Sequence, residues 1–138
     1  MALQYGVTLR NAQLDAIETT VGTSPKLQLR SGSPPANCAA AASGTLLCEM
    51  TLPSDWLGAA SSGSKSKSGT WSGTGDAGAG SGTNAGHWRL LDSGGTVCHA
   101  QGTITVTGGG GDLTLDNVNI ASGQSVSISS WSFSAANS

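Results

Sequence analysis

Apolar residues along most of this chain occur in short runs of period two, separated by turns rich in glycine and proline. The clearest run covers 46–52, where Leu46, Cys48, Met50 and Leu52 alternate with polar residues before Pro53. Alternation of this kind is typical of a half-buried strand. Similar runs recur around 26–30, 87–91, 98–106, 113–120 and 126–133, and the Asp-Ser-Gly-Gly turn at 92–95 predicts a hairpin between the second and third of these runs. About seven or eight short strands predict an all-β fold, an antiparallel β-sandwich or jelly-roll-like domain.

One helix and one long loop complete the predicted organisation. Residues 8–21 have a mostly three-or-four-spaced apolar pattern, with Thr8 as the expected N-cap and Gly22 as the stop. Segment 73–86 contains no aliphatic residue larger than alanine, so we expect a flexible, Gly-rich surface loop. We therefore predict a single domain, 1–138, with a short N-terminal helix, a β-sandwich over 26–136, and a possible N-terminal arm at 1–7. Apolar residues change from odd-numbered to even-numbered positions near 116–117, and back to odd-numbered positions at Trp131. Such changes predict bends where a strand changes sheets.

Composition narrows the function classes. More than half of the 138 residues are Gly, Ser, Ala or Thr, only 10% are charged, and the net charge is −2. The chain has no basic stripe, which argues against nucleic acid as a partner. It also has no apolar run long enough for a membrane helix and no export signal at its start. An odd number of cysteines, Cys38, Cys48 and Cys98, favours free thiols and folding in a reducing cytoplasm, although a Cys38–Cys48 pair stays open.

Catalytic and metal-binding patterns are weak. His87 and His99 are potential bases, but neither lies in a recognisable nucleophile motif. The cysteines lack the close Cys-x-x-Cys spacing of a zinc site, and the parity of Cys98 predicts a buried small side chain. Asp112 and the pair 116–117 resemble fragments of a calcium loop, but they are better explained as turn residues. We therefore predict no catalytic residue, no metal and no cofactor, and we do not expect an enzyme.

The four tryptophans are the remaining candidates for a contact surface. Trp88 lies beside Leu90, and Trp131 lies near Phe133, so both are expected in the core. Trp56 and Trp71 flank the polar segment 61–68, which predicts that they are more exposed. Exposed aromatic rings beside polar residues are also what a sugar-binding module requires.

Several short stretches, rather than one motif, are distinctive in their order along the whole chain: LRNAQLDAIE (9–18), LRSG (29–32), PPAN (34–37), GTLL (44–47), WRLLDSGG (88–95), GGGGDLTL (108–115) and IASGQ (120–124). Together they resemble a family of small structural proteins from tailed bacteriophages. Within that family the chain is most similar to the capsid cement (decoration) proteins of short-tailed phages of the Bordetella type.

The resemblance implies a non-enzymatic protein on the outer surface of an icosahedral phage head, assembled in the host bacterial cytoplasm. It implies binding to the major capsid protein where capsomers meet, which stabilises the shell against DNA pressure, and a homo-oligomer, a dimer rather than a trimer. Neither membrane nor nucleic acid is expected as a partner. The candidate contact residues are Leu3 and Tyr5 in the arm, which could add to a neighbour as a strand, together with Trp56 and Trp71.

Two other functions remain open from the sequence. One is a carbohydrate- or receptor-binding β-sandwich of the phage tail, which requires Trp56 or Trp71 to lie exposed beside a groove. The other is a structural component of the tail or head–tail connector, which would share the fold but occur at a different copy number.

Overall fold

The computed structural model describes residues 3–135, which form one α-helix followed by ten short strands. The N-terminal positions 1–2 of the predicted arm and position 136 of the predicted sandwich lie outside the described residues. The helix and strands are α1 (Val7–Val21), β1 (Lys26–Ser31), β2 (Leu46–Thr51), β3 (Ser64–Ser66), β4 (Trp71–Thr74), β5 (Thr83–Leu91), β6 (Cys98–Val106), β7 (Leu113–Leu115), β8 (Asn119–Ile120), β9 (Ser125–Ile128) and β10 (Ser132–Ser134).

The largest sheet has the strand order β2-β1-β5-β6-β7, and β8 pairs with the start of β5. All of these pairs are antiparallel except β6 with β7, which is parallel. On β1, an interior strand of the sheet, Leu29 lies between Cys48 on β2 and Trp88 on β5. Side chains on β1 therefore have neighbouring strands on both sides, and Leu29 is fully buried.

Two two-stranded ribbons, β3 with β10 and β4 with β9, complete the β structure. A bridge between Cys48 on β2 and Gly75, just after β4, connects the large sheet to the second ribbon. Apolar side chains from the large sheet and from the ribbons belong to one core cluster. The prediction of an all-β, sandwich-like fold with one N-terminal helix is therefore confirmed.

Strand β2 shows why simple alternation is only approximate here. Leu29 pairs with Cys48 but Arg30 pairs with Leu46, so Leu47 is an extra residue on β2. A bulge of this kind changes the direction of the side chains that follow it. As a result both Leu47 and Cys48 are buried, while Leu46, predicted on the buried face, is only half-buried.

The helix differs from the prediction at its beginning and on its buried face. It starts at Val7 with Gly6 as the N-cap, and Gly6 has no side chain to cap it, so the prediction that Thr8 is the cap is wrong. Gly22 does end the helix, with φ of 90° and its N–H donating to the Glu18 carbonyl. Only Leu14 and Val21 are buried, and the strand that the helix mainly contacts is the short β3 rather than a strand of the large sheet.

Segment 73–86 is not the loop that its composition predicted. It contains the end of β4, a 3₁₀ turn at Ala77–Ala79 and the start of β5. Its glycines permit close backbone packing: a Cβ on Gly75 would overlap the Ala121 carbonyl, and one on Gly86 would overlap the Gly32 carbonyl. The small residues of this segment allow backbones to pack closely against each other. Composition alone does not distinguish such a packed segment from a loop.

The two predicted bends occur where the strands change partners. The chain bends at Asp116, between β7 and β8. Residues 129–131 separate β9, which pairs with β4, from β10, which pairs with β3. The predicted hairpin is also present, since β5 and β6 are connected by 92–97 and pair antiparallel.

Candidate functional site

Trp56 and Trp71, predicted as part of an exposed contact surface, lie in the core. Their exposed fractions are 0% and 1%. The indole N–H of Trp56 donates to the Gly22 carbonyl at 2.9 Å, and that of Trp71 donates to the Ser68 carbonyl at 3.2 Å. The prediction that Trp56 and Trp71 are exposed is therefore wrong, because both rings are enclosed and both indole N–H groups already have partners within the chain.

The four tryptophans form a continuous series of ring contacts. The Trp56 and Trp71 ring centroids are 6.0 Å apart, Trp71 and Trp131 are 5.7 Å apart, and Trp131 and Trp88 are 4.6 Å apart. Phe133 contacts Trp56 and Trp131. Large rings supply the core volume that a chain poor in large aliphatic residues lacks. The prediction that Trp88 and Trp131 belong to the core is confirmed.

Exposed large apolar side chains are concentrated at the N-terminal end. Among the described residues, Leu3, Tyr5, Val7 and Leu9 are 68%, 38%, 49% and 50% exposed, and only Val97 and Val106 elsewhere are comparable. We call Leu3, Tyr5, Val7 and Leu9 the N-terminal apolar segment. Tyr5 is also the one exposed aromatic side chain within residues 3–135. A concentration of this kind is typical of an interaction surface, whereas single exposed residues need no explanation.

Polar contacts hold helix α1 to the β structure next to this segment. The Arg10 guanidinium donates from Nε to the Ala135 carbonyl at 2.9 Å, and the Gly63 N–H donates to Asn11 at 2.9 Å. Lys65 on β3 is 3% exposed and forms ion pairs with Asp15 at 2.8 Å and Glu18 at 3.0 Å. The helix is thus fixed at several points while the apolar side chains at its start face outward.

The contacts at Lys65 shift the pKa values of Lys65 and Asp15. Burial acts to lower the pKa of Lys65, but hydrogen bonds to Asp15 and Glu18 outweigh it, and the pKa is raised. The hydrogen bond from Lys65 lowers the pKa of Asp15. Both groups therefore stay charged across the ordinary pH range, and the attachment of α1 is ionic.

The other predicted chemical candidates are separate in the fold. His87 is fully buried, and its Nδ1 donates to the Gly32 carbonyl at 2.9 Å, because a carbonyl can only accept. The Asp112 carboxylate accepts from the backbone N–H and hydroxyl of Thr103, which is a turn-stabilising role. Within residues 3–135 no group of three or more His, Cys, Asp or Glu side chains is placed to hold a metal ion.

The cysteines are arranged differently from the alternative that the sequence left open. Cys48 is fully buried on β2, while Cys38 lies with its Sγ 2.6 Å from that of Cys98 at the start of β6. Both thiols of this pair are free and half-buried. The prediction that Cys98 is a buried side chain is wrong, because Cys98 is the first residue of β6 and is only half-buried there.

A cleft of about 310 Å³ lies beside this thiol pair. Arg30 and Arg89 line it, together with Gln28 and residues 38–42. Arg89 is 4% exposed and donates to the carbonyls of Cys38 and Ala40. Within the described chain neither guanidinium has a carboxylate within ion-pairing distance, although Glu49 acts on Arg30 from further away. The charged residues that line the cleft are both arginines, which makes its walls positively charged.

Comparisons with known proteins found no relative of this chain. No protein-family model matches the chain, and neither a curated protein nor a solved structure is significantly similar to it. No helix in the described part of the chain has the length and apolar character needed to span a membrane.

Two features of the surface were not predicted from the sequence. Val7 and Leu9 extend the exposed apolar side chains of the arm, and the strict alternation of apolar residues at 3, 5, 7 and 9 was the available signal. The Arg30–Arg89 cleft had no such signal, since Arg30 and Arg89 are far apart in sequence and meet only because β1 pairs with β5.

Proposed function

We propose that this chain is a non-enzymatic cement (decoration) protein that binds the outer surface of a phage head and stabilises contacts between major capsid protein subunits. The observation that carries the proposal is the N-terminal apolar segment, where four of the six exposed large apolar side chains of residues 3–135 occur within seven positions. The resemblance of the whole chain to small phage virion proteins supports the major capsid protein as the partner.

The way in which α1 is held supports an attachment role for this segment. Only Leu14 and Val21 of the helix are buried, and ionic contacts through Lys65 replace a broad apolar interface. The start of the helix therefore presents Val7 and Leu9 to solvent in a fixed position. A pre-positioned apolar surface loses little conformational entropy on binding, which favours association.

A cement protein does not need strong binding at each contact. Binding of one copy to several subunits of the same lattice raises its overall affinity well above that of a single contact. A short apolar segment is sufficient under these conditions, because burying one leucine contributes about 1.5–3 kcal/mol. The low charge and the many hydroxyl side chains are compatible with polar, hydrated contacts around it.

The carbohydrate-binding alternative has lost the residues on which it depended. It required Trp56 or Trp71 at the surface, and both are buried in the ring cluster. The alternative of a tail or connector component differs from the cement proposal in copy number and position, so the same experiment distinguishes them.

Cryo-electron microscopy of purified heads of the encoding phage is the direct test. Stoichiometric density on the outer lattice, bridging capsomers, is the expected result. A few copies at the portal or tail, or none on the head, would refute the cement proposal. Sedimentation analysis of the purified chain tests whether it forms the homodimer that the resemblance to phage cement proteins implies.

A second measurement tests the attachment surface. Heads lacking the protein are mixed with Leu3→Asp and Leu9→Asp variants, and bound copies are counted after sedimentation. Each substitution is expected to weaken binding about tenfold or more. Val97→Asp and Val106→Asp are controls matched to Leu9→Asp, since Val97 and Val106, at 50% and 49%, are as exposed as Leu9 at 50% but lie elsewhere. Equal loss in all four variants would refute the assignment of the surface.

A further inference from the structure

Two cysteines that are distant in sequence meet at the surface of the sandwich. Cys38 lies in the connection between β1 and β2, and Cys98 is the first residue of β6, sixty residues later. Their Sγ atoms are 2.6 Å apart. A disulfide bond is about 2.05 Å long, so a movement of less than an ångström would bring these two atoms to bonding distance.

Contacts other than the thiols themselves hold the two segments together. Arg89 on β5 donates to the carbonyl oxygens of Cys38 at 2.9 Å and Ala40 at 3.2 Å. Gln101 on β6 donates to the Pro35 carbonyl at 2.7 Å. The β1–β2 connection is therefore attached to both β5 and β6 near the position of Cys38. These contacts keep the thiols adjacent in the reduced protein.

A small oxidant has access to the pair. Cys38 and Cys98 are both half-buried and both line the cleft of about 310 Å³. Arg30 and Arg89 line the same cleft without a carboxylate partner among the described residues. Positive charge at the walls raises the local concentration of a small anionic reagent.

Disulfide formation between Cys38 and Cys98 requires an oxidant and is slow at neutral pH. Burial, with the adjacent Cys98, raises the pKa of Cys38 to about 11. Only the thiolate attacks a disulfide, so exchange at Cys38 is slow at neutral pH. A reducing environment therefore leaves the pair as thiols, and sustained exposure to an oxidant is required to close it.

We propose that Cys38 and Cys98 are a redox cross-linking site that closes to an intramolecular disulfide by exchange with a small anionic disulfide such as oxidised glutathione. One cysteine loses its proton and attacks the glutathione disulfide, which releases one glutathione thiolate and leaves a mixed disulfide. The second cysteine also loses its proton, attacks that mixed disulfide and releases the other glutathione as a thiolate, and the two glutathione thiolates take up the two protons. The two cysteines are oxidised, and one glutathione disulfide is reduced to two thiols.

Closure would tether the β1–β2 connection covalently to the edge of the large sheet. The folded structure would change little, because the two segments are already in contact. The unfolded chain, in contrast, would lose the freedom of the long loop between Cys38 and Cys98, which stabilises the folded state relative to it. Cys48 is fully buried on β2 and takes no part.

The test uses the reduced full chain incubated with oxidised glutathione. Titration in denaturant should show the number of free thiols fall from three to one. The intact mass should fall by two hydrogens, and peptide mapping should join Cys38 to Cys98. Cys48→Ser is the matched control, which should lose both of its thiols to the same link. The oxidised protein should unfold at a higher denaturant concentration, and a reductant should reverse this shift.

Several results would overturn the proposal. Three free thiols after prolonged incubation, a link that contains Cys48, or only disulfide-joined dimers would each exclude it. Cys38→Ser should yield at most a glutathione adduct on the remaining thiols, with no internal link. A neutral disulfide of similar size should react more slowly than oxidised glutathione, and equal rates would show that the arginine cleft does not recruit the oxidant.

Discussion

Removal of the Trp71 side chain tests the core that the structure assigns to this protein. Trp71 is 1% exposed, and its ring lies between those of Trp56 and Trp131 at 6.0 and 5.7 Å. A buried tryptophan covers roughly 150–250 Å² of surface, which at about 25 cal/mol per Å² corresponds to about 4–6 kcal/mol. Partial relaxation around the cavity limits the loss in Trp71→Ala to about 4 kcal/mol.

Trp71→Phe separates the contributions of ring volume and hydrogen bonding. Phenylalanine retains most of the ring contact but loses the indole N–H bond to the Ser68 carbonyl, so a loss of about 1–2 kcal/mol is expected. Val97→Ala is the matched surface control, because Val97 is 50% exposed, and its effect should stay within about 0.5 kcal/mol.

Urea unfolding followed by far-ultraviolet circular dichroism is the appropriate assay, since fluorescence changes with the tryptophan itself. The free energy of unfolding should follow the order Val97→Ala, Trp71→Phe, Trp71→Ala, from least to most destabilised. A loss below about 1 kcal/mol for Trp71→Ala, with an unchanged dependence on urea, would place the ring at the surface and refute the argument.

Two further predictions concern the attachment of the helix and the close packing of a glycine. Lys65→Met, which keeps the side-chain volume, should lower the free energy of unfolding by roughly 1–2 kcal/mol. This is less than the loss for a fully buried ion pair, because Asp15 and Glu18 keep contact with water. Lys26→Met, at the exposed ion pair with Glu49, is the control and should lower it by under about 1 kcal/mol. Because the pKa of Asp15 is lowered, its contribution to stability is complete above pH 3.8, its ordinary pKa, and is lost as the pH falls through the lowered pKa. Because the pKa of Lys65 is raised, its contribution is complete below pH 10.5, its ordinary pKa, and is lost as the pH rises through the raised pKa. Urea unfolding between these limits and beyond them should show the difference from Lys65→Met shrink at both extremes, and a constant difference would contradict the ionic attachment. Gly75→Ala should cost about 2 kcal/mol or more because its Cβ would overlap the Ala121 carbonyl. Gly94→Ala is the control and should change the unfolding midpoint little, because its Cβ would make only ordinary van der Waals contacts; equal midpoints would show that the close approach at Gly75 is absent.

Much of the β architecture could be predicted from local patterns. Alternation at 46–52 and the Asp-Ser-Gly-Gly turn at 92–95 correctly predicted β2 and the β5–β6 hairpin. The Asp92 carboxylate accepts hydrogen bonds from the backbone of Thr96 and Val97, so the turn depends on residues that are adjacent in sequence. Such features are local, and local sequence is sufficient to predict them.

The candidate surface was predictable only in part. Leu3 and Tyr5 are exposed as expected of an arm, but Trp56 and Trp71 are not, although their neighbours in sequence are polar. Exposure of a tryptophan depends on which distant strands pack over it. For Trp71 these include the chain around Trp131, sixty positions later.

The sequence by itself determined the class of this fold, because apolar residues at period two in short, glycine-bounded runs can bury one face only by forming a sheet. It also determined that the core is small, because large aliphatic residues are few. The tertiary structure alone decided that the tryptophans join into one core cluster, that segment 73–86 packs backbone against backbone, and that Cys38 meets Cys98. These features depend on strand order and register, which arise from contacts between residues far apart in sequence and leave no local pattern.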